Sequence, residues 1–374
     1  MKGQVYKIHS DFYYVEPDRA RLSSLALGVE DCPAIIERRR VGTSLDFSPQ
    51  EFTIEAKVRD VLKKQAANIV VGDFVELEAL NYDARQAFIS KIYERSNFIP
   101  RPKAANVDQV IIVTAIKEPE LDFEQLNRYL CLCSYYKIPP VLCFNKNDLL
   151  DDKETIKKIE SIYNPLGYET VFISALEKNG LKEIEAKLDR KVSVLCGMSG
   201  VGKSTILNVI QPDLQLKTQA VSAKTSKGTH TTRHCEIINV ALSNGGVCKV
   251  VDTPGFSNLK FDFLMPAEIS ELFGEIKQLK TKCKFKDCLH INEQDCNVLS
   301  NLAQISQSRY SSYLKFVDEA AGYKKLISEQ GTKKESRSKI INKREVAKIN
   351  AKKREMGRRA AKQSLNQMEK GQHS

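Results

Sequence analysis

The sequence lacks any long hydrophobic run. Nowhere in its 374 residues does an apolar stretch approach the about 18 residues that a membrane-spanning helix needs. Its first residues, MKGQVYKIHSDFYYVEPD, contain no apolar segment like that of a secretory signal peptide. These absences predict a cytoplasmic protein with no membrane partner.

Clustered cysteines are also scarce. Seven of the ten cysteines are scattered singly along the chain, which agrees with a reducing compartment. Cys143 and Cys196 fall in apolar, strand-like runs, where a reduced thiol behaves as a small hydrophobic side chain. The other three fall within residues 283–296.

Positive charge is concentrated near the C-terminus. Of the formal net charge of +11, residues 331–370 supply +10, from fourteen Lys or Arg against four Glu. Such a segment indicates an anionic macromolecular partner, most often nucleic acid. A solvated, frayed helix that only aids solubility is the alternative, and clustering of the charges favours the partner.

The length allows two or three domains. Residues 1–100 contain short runs rich in Val, Ile, Phe and Tyr, namely QVYKI, FYYVE, FTIEAKV, DFVELEAL and AFISKIY. Polar or glycine-containing stretches separate these runs, as in an all-β domain. About five short strands fit a small barrel of OB type, although an SH3-like barrel would have a similar pattern.

The pattern changes after the proline-containing segment 95–107. Near-continuous apolar runs alternate with helix-like stretches, which predicts an α/β sheet covered on both faces. The predicted strands are 109–115, 139–144, 170–175, 191–197, 236–242 and 247–253. The predicted domains are 1–100 (OB-like barrel), 101–262 (α/β), 263–330 (mainly helical) and 331–374 (a basic tail, helical or disordered).

A phosphate-binding loop follows the strand KVSVLC. The sequence GMSGVGKST matches G-x-x-x-x-G-K-[ST] between a strand and a helix. Its glycines let backbone N–H groups surround a β-phosphate, Lys203 can reach the β- and γ-oxygens, and the Ser204 hydroxyl can bind Mg²⁺. The predicted nucleotide-binding residues are Gly197, Met198, Ser199, Gly200, Val201, Gly202, Lys203, Ser204 and Thr205.

Two further loops resemble the guanine-reading elements of Ras-like GTPases. Asn145-Lys146-Asn147-Asp148 matches NKxD, in which the Asp148 carboxylate would accept N1–H and the 2-amino group of guanine. Lys146 would cover the base, and Asn145 would connect neighbouring loops. Ser174-Ala175-Leu176 resembles the SAK element, whose backbone N–H meets the guanine O6.

The Mg²⁺ and γ-phosphate side of the site is predicted after the strand VCKVV. Asp252-Thr253-Pro254-Gly255 matches DxxG, in which Asp252 holds Mg²⁺ through water and the Gly255 amide senses the γ-phosphate. The segment 227–233, KGTHTTR, lies where a switch threonine belongs. Thr231 is the predicted Mg²⁺ threonine, and Thr232 is the alternative.

The order of these motifs is circularly permuted. In Ras the P-loop comes first and NKxD and SAK come last, whereas here residues 145 and 174 precede residues 197 and 252. A sheet can be kept when old ends are joined and a loop is opened. The sequence therefore predicts a permuted P-loop GTPase.

A cysteine–histidine cluster follows DTPG. Cys283-x4-Cys288-x-His290-x5-Cys296 supplies three thiols and one imidazole, which suit tetrahedral Zn²⁺. Four protein ligands leave no open position, so the predicted role is structural. Unrelated reduced cysteines beside a histidine are the alternative, and a disulfide fits a cytoplasmic protein less well.

Together these features resemble the RsgA family, also called YjeQ or YloQ. The permuted order, the N-terminal β domain and the Cys/His spacing carry the resemblance over about residues 1–325. Gly228-Thr229-His230-Thr231-Thr232 is similar to the family's GRHTTT, and Asn106-Val107-Asp108-Gln109 opens the GTPase domain.

The resemblance implies a GTPase that assists maturation of the 30S ribosomal subunit. It implies binding of 16S rRNA through the OB-like and zinc domains, one Zn²⁺ per chain, Mg²⁺ with GTP, and a monomer. It also implies a weak GTPase that the ribosome stimulates. Phe256 follows DTPG where Ras-like proteins have a glutamine, so slow hydrolysis is expected. His230 is the candidate catalytic residue, with Lys203.

Two other functions are compatible with parts of the sequence. The protein could be an RNA-binding scaffold for which GTP is only a conformational ligand, and turnover in the presence of 30S subunits would separate the two hypotheses. It could also be a permuted GTPase of the large subunit, of the YlqF type. The Cys/His cluster and the N-terminal β domain argue against the second alternative.

Overall fold

The computed structural model of the protein describes residues 1–18, 53–59, 62, 69–81, 84–100, 102–150, 153–216, 235–252, 260–331, 338–341 and 344–347. The chain divides into two compact units. The first unit combines Met1–Leu259 with Ser270–Tyr313, and the second combines Lys260–Ile269 with Leu314–Ser374. The described residues of both candidate sites belong to the first unit.

A five-stranded barrel forms the N-terminal part of the first unit. Its strands are β1 (Lys2–His9), β2 (Phe12–Pro17), β3 (Ile54–Val58), β4 (Phe74–Asn81) and β5 (Gln86–Ile92). They pair in the order β1-β2-β3-β5-β4, and β4 returns to β1, which closes the barrel. Only β3 and β5 are parallel. Alternate side chains point inward, as Val75 and Leu77 do in β4, and these fill the core. The predicted OB-like barrel is confirmed.

A short hairpin marks the predicted boundary. Strands β6 (Phe98–Pro100) and β7 (Lys103–Ala105) pair antiparallel to each other. Ile99 and Ala104 are buried. The hairpin therefore contributes side chains to one of the apolar clusters that pack against the α/β sheet.

The α/β sheet carries the remaining strands of the first unit. They are β8 (Gln109–Ala115), β9 (Pro140–Asn145), β10 (Glu169–Phe172), β11 (Val192–Cys196), β12 (Glu236–Ala241) and β13 (Val247–Asp252). The order is β10-β9-β8-β11-β13-β12, and all neighbours except β12 are parallel. Two buried clusters of apolar side chains lie against this sheet. The predicted α/β domain is confirmed.

The strand ends differ slightly from those expected. Strand β10 ends at Phe172 rather than at residue 175, because Ser174 and Asn179 exchange backbone hydrogen bonds in a turn. Strand β12 runs antiparallel to β13 and touches the barrel, where Lys7 of β1 pairs with Glu236. The side chains of this pair form an ion pair of 2.7 Å.

Helices follow strands β8, β9, β10 and β11 of the α/β sheet. They are α1 (Phe123–Tyr136), α2 (Glu154–Tyr163), α3 (Leu181–Leu188) and α4 (Lys203–Ile210). Helix α1 starts at a side-chain cap, since Asp122 accepts a hydrogen bond of 3.0 Å from the Gln125 amide. It ends at Lys137, whose left-handed backbone closes the last turn.

The C-terminal region is mainly helical, as predicted. It contains α5 (Pro266–Ile269), α6 (Gly274–Lys280), α7 (Asn297–Ser300) and α8 (Gln307–Gly331). In the tail, strands β14 (Ser338–Ile341) and β15 (Arg344–Ala347) pair antiparallel, where the sequence favoured helix or disorder. Their sequences SKII and REVA contain β-branched residues, which suit strands. Within the described part of the chain, none of the helices has the length and apolar character that crossing a membrane requires.

Candidate nucleotide and metal sites

The predicted phosphate loop lies between β11 and α4. Gly197 and Gly202 have φ angles of 144° and 99°, which glycine adopts without strain. A Cβ atom at Gly197 would lie 2.0 Å from the carbonyl oxygen of Val113, and one at Gly202 would lie 2.3 Å from Nδ2 of Asn145. Both glycines are therefore required by close packing as well as by backbone angle.

Lys203 is the first residue of α4, and its ammonium group lies against the loop. Its Nζ donates to the carbonyl oxygens of Gly197 at 2.9 Å and Met198 at 2.8 Å. Ser204 and Thr205 follow in the same first turn. This turn combines the positive end of a helix with a lysine and a hydroxyl, which suits bound phosphate.

Asn145 connects the phosphate loop to the two loops expected to read the base. The side chain is 2% exposed. Its Nδ2 donates to the carbonyl oxygen of Val201 at 2.8 Å, and its Oδ1 accepts from the Ala175 amide at 3.0 Å. All three predicted loops therefore meet at the carboxyl ends of β9, β10 and β11, which is where α/β sheets bind ligands.

Asp148 presents an unpartnered acceptor at this site. Its Oδ1 is shielded from solvent and has no hydrogen-bond partner among the described residues. A buried acceptor without a partner is costly, so a ligand with N–H donors would satisfy it. Nearby, Lys146 donates to the carbonyl oxygen of Glu118, and the Ser174 hydroxyl accepts from the Glu177 amide at 3.0 Å.

The predicted γ-phosphate side is only partly described. Asp252 is the last residue of β13, and its backbone pairs with Glu236. His230, Thr231 and Gly255 lie outside the described residues.

The predicted metal ligands converge. One ligand atom from each of Cys283, Cys288, His290 and Cys296 lies within 4.8 Å of all the others. Nδ1 of His290 faces the thiols, at 3.3 Å from Sγ of Cys296 and 3.7 Å from Sγ of Cys283. The two sulfur atoms are 3.9 Å apart.

This donor set fits Zn²⁺. Tetrahedral ligands with Zn–S of about 2.3 Å and Zn–N of about 2.0 Å lie roughly 3.5–3.8 Å apart, close to the distances found. Burial lowers the pKa of His290, which favours the neutral imidazole that binds metal. Burial raises the pKa of Cys288 to about 12, so its thiolate needs a nearby cation.

The backbone around His290 is held from two directions. The Glu293 carboxylate accepts from the amides of Leu289 at 2.6 Å and Ile291 at 2.8 Å. Burial alone would raise the pKa of Glu293, but these and other backbone donors outweigh it and lower the pKa. From α8, the hydroxyl groups of Tyr310 and Tyr313 donate to the carbonyl oxygens of His290 and Leu289. These contacts fix the backbone that carries the His290 ring, whose buried Nε2 has no hydrogen-bond partner among the described residues.

We expect one zinc per chain after desalting, because four converging donors leave no position for exchange through water. Elemental analysis measures the ratio. Cys283→Ser combined with Cys288→Ser should remove the metal, whereas Cys235→Ser, outside the cluster, should retain it. Protein that carries no stoichiometric metal would contradict the assignment. Loss of the ion should loosen residues 283–296 but leave the α/β sheet folded, since the sheet has its own core.

Comparison with known proteins identifies the family. The family model described as RsgA GTPase matches residues 92–262. The chain is 39% identical over 267 residues to the small ribosomal subunit biogenesis GTPase RsgA of Alkaliphilus metalliredigens, covering 71% of this chain and 90% of the relative. This chain belongs to the RsgA family.

Solved structures agree with membership of the RsgA family. YjeQ from Thermotoga maritima aligns with a TM-score of 0.65 and 31% identity, over 86% of this chain and 98% of that one. YloQ, described as a circularly permuted GTPase, aligns with a TM-score of 0.63 and 30% identity, over 86% and 95%. The predicted family, the permuted GTPase fold and GTP hydrolysis are confirmed.

A second family model, described as 50S ribosome-binding GTPase, matches residues 192–343. Its match begins at β11, the strand before the phosphate loop, and so leaves out the base-reading loops that precede it in this RsgA-family chain. In an unpermuted GTPase the strand before the phosphate loop comes first, so a model of that order is expected to begin its match at this strand.

Several residues that support these sites could not be found from motifs. Glu118 contributes a backbone carbonyl, which any residue type can supply. Tyr310 and Tyr313, three positions apart in a helix, were a possible signal for one shared face. Their partners are backbone atoms some twenty residues away, and no sequence pattern specifies those.

Proposed function

We propose that this GTPase assists the biogenesis of the small ribosomal subunit. The shielded Oδ1 of Asp148 has no hydrogen-bond partner among the described residues, and it carries the nucleotide part of the proposal because this carboxylate suits the two N–H donors of guanine. The relatives named for small-subunit biogenesis support the ribosomal part, since the chain covers 90% of the one from Alkaliphilus metalliredigens.

We assign the site residues as follows. Asp148 and Lys146 read the base, and Asn145 holds their loop, together with Ala175 through its amide, against the phosphate loop. The backbone of Gly197–Gly202 and the Lys203 ammonium bind the phosphates. The remaining proposed ligands are Ser174, Ser204, Thr205, Thr231, Asp252 and Gly255.

Hydrolysis forms a bond between a water oxygen and the γ-phosphorus. It breaks the bond between the γ-phosphorus and the bridging oxygen, which leaves with GDP. Lys203 would stabilise the negative charge on the phosphate oxygens. Mg²⁺ bound with GTP would neutralise further charge, and Ser204, Thr231 and Asp252 are the residues proposed to hold it. His230 is the proposed residue that orients the water, since Phe256 can neither donate nor accept a hydrogen bond.

Ribosomal RNA is the proposed macromolecular partner. In the Cys/His segment, Phe285 is 52% exposed and is flanked by the exposed Lys284 and Lys286. An exposed ring beside cations suits stacking on bases and contact with phosphates. On the barrel, Phe88 is 42% exposed, and Lys57 lies 4.8 Å from the centre of the Phe12 ring. The basic tail would add contacts that depend on salt but not on sequence.

We also propose that four segments divide the work. Residues 1–100 and 263–330 would bind RNA, 101–262 would bind and hydrolyse GTP, and 331–374 would supply positive charge. A monomer that acts in the cytoplasm is consistent with this division. Residues 270–313 pack in the same compact unit as the barrel and the α/β sheet.

The decisive experiment compares GTP hydrolysis alone and with purified 30S, 50S or 70S particles. We expect 30S subunits to raise kcat at least about tenfold, which corresponds to about 1.4 kcal/mol of transition-state stabilisation. A scaffold that uses GTP only as a conformational ligand would show no increase. Stimulation by 50S particles alone would instead favour a large-subunit function.

Two variants control this measurement. Lys203→Ala should show no stimulated turnover, which excludes hydrolysis by contaminants of the ribosomal particles. Phe285→Ala should keep the intrinsic rate but need a higher 30S concentration for half-maximal stimulation. If Phe285→Ala behaves as the parent does, the RNA surface lies elsewhere.

A further inference from the structure

A buried polar network lies at the start of α8. Arg309 is fully buried, at 0% exposure. Its Nε and Nη2 donate to the two carboxylate oxygens of Glu275 in α6, at 2.7 and 3.0 Å. The guanidinium also lies 4.5 Å from the centre of the Phe273 ring. A bidentate pair of this kind fixes both the distance and the angle between its helices.

Asn127 of α1 joins this network to the GTPase helices. Its Oδ1 accepts from Nη1 of Arg309 at 3.1 Å and from the Tyr163 hydroxyl of α2 at 3.0 Å. Its Nδ2 donates to the Ser312 hydroxyl at 2.9 Å and the Ser308 carbonyl oxygen at 3.3 Å. The amide thus uses both of its donors and both of its acceptor positions.

The same turns of α8 hold the metal-binding loop. Tyr310 and Tyr313 donate to the backbone of residues 290 and 289, at 2.8 and 2.6 Å. Two adjacent helical turns therefore contact the zinc loop through tyrosines, and they contact helices α1 and α6 through Arg309. A displacement of α8 must disturb both sets of contacts.

Polar contacts make this attachment specific. Two helices that pack only through apolar side chains can shift slightly against each other at little cost. A buried guanidinium that loses its carboxylate is left as an uncompensated charge. The zinc loop is consequently held in one position on the GTPase part of this unit.

The loop that precedes helix α1 contacts the proposed base site. The loop between β8 and α1 contributes the Glu118 carbonyl oxygen, which accepts from Lys146. The Ile116 amide of the same loop donates to the Asn145 carbonyl oxygen at 3.2 Å. A shift of α1 would therefore move two contacts of the loop assigned to guanine.

We propose that Arg309 is a positioning residue that fixes the zinc-bearing segment on α1 and thereby links zinc binding to guanine-nucleotide binding. The proposal rests on the nucleotide and zinc sites assigned above. Linkage makes the effect reciprocal, so removing zinc weakens GDP binding by the same factor by which GDP strengthens zinc binding.

The test measures the affinity of the full chain for a fluorescent GDP analogue. Zinc-free protein is prepared in two ways, as Cys283→Ser with Cys288→Ser and as chelator-stripped parent protein. We expect GDP binding about fivefold to tenfold weaker without zinc. Readdition of zinc should restore it in the stripped sample only.

The linkage should disappear in Arg309→Met combined with Glu275→Leu. Replacing both partners avoids a buried unpaired charge, so this variant should fold and still carry one zinc. Its GDP affinity should change less than about twofold when zinc is removed. The matched control, Lys280→Met with Glu271→Leu, removes an ion pair between a residue of α6 and the segment just before it. That control should keep the parental linkage.

Hydrogen exchange gives a second readout that does not depend on nucleotide. Zinc removal should speed amide exchange in residues 123–136 of the parent but not change it further in the Arg309/Glu275 variant. Equal zinc effects on GDP affinity in parent and variant would overturn the proposal, as would a parent that is insensitive to zinc. Failure of the zinc-loaded parent to bind GDP would instead reject the nucleotide site itself.

Discussion

Lys203→Ala should lower kcat/KM for GTP by at least about 10³-fold. The side chain carries the positive charge at the first turn of α4, and in the structure its Nζ already bonds to the carbonyl oxygens of the loop that would hold the phosphates. Removing it takes away charge that opposes the growing negative charge of the transition state. Steady-state phosphate release measures the effect.

A lysine elsewhere on the molecule provides the control for Lys203→Ala. Lys182 is exposed in the first turn of α3, so Lys182→Ala removes the same charge from a helix start outside the phosphate loop. It should retain the parental rate. Hydrolysis by Lys203→Ala at the parental rate would reject the P-loop assignment.

Asp148→Asn should lose at least about 10²-fold in affinity for GDP and gain affinity for the xanthosine nucleotide. The amide donates where the carboxylate accepted, so it repels the guanine 2-amino group but suits the O2 of xanthine. Competition between the two nucleotides, measured by displacement of a fluorescent analogue, gives the ratio directly.

The gain in affinity of Asp148→Asn for the xanthosine nucleotide also controls for misfolding, because a misfolded variant would bind neither nucleotide. Unchanged GDP affinity would show that Asp148 does not read the base. The lack of a hydrogen-bond partner for its Oδ1 in the described part of the chain would then need another explanation.

The sequence predicted those parts of the molecule that local chemistry determines. Glycines 197 and 202 mark a loop because other residues would strain the backbone or collide with it, and this constraint is visible without a structure. The spacing of Cys283, Cys288, His290 and Cys296 likewise limited the possibilities for the metal site. Parallel strands could be recognised because burial on both faces makes their apolar runs nearly continuous.

The sequence did not predict the contacts between distant segments. Asn127 and Arg309 are 182 residues apart. Each is a residue type that is common on the exposed surface of a helix, so nothing in the sequence marks it as buried or paired. The apolar run of strand β12 is visible in the sequence, but its antiparallel direction depends on the tight turn through Gly245 and Gly246. Long-range polar pairs depend on packing geometry, which residue type alone does not specify.

The close approach of Gly202 to Asn145 limits how this site can change in evolution. A larger residue at Gly202 is strained at the φ of 99° and also meets the amide group of Asn145, so a smaller residue at 145 would relieve only the collision, at the cost of the contact between loops. At Gly197 the obstacle is the main-chain oxygen of Val113, which no substitution can remove. A second substitution can therefore relieve the collision at Gly202 but not the one at Gly197, and the backbone strain remains at both positions. The two glycines of one motif are thus under different kinds of selection.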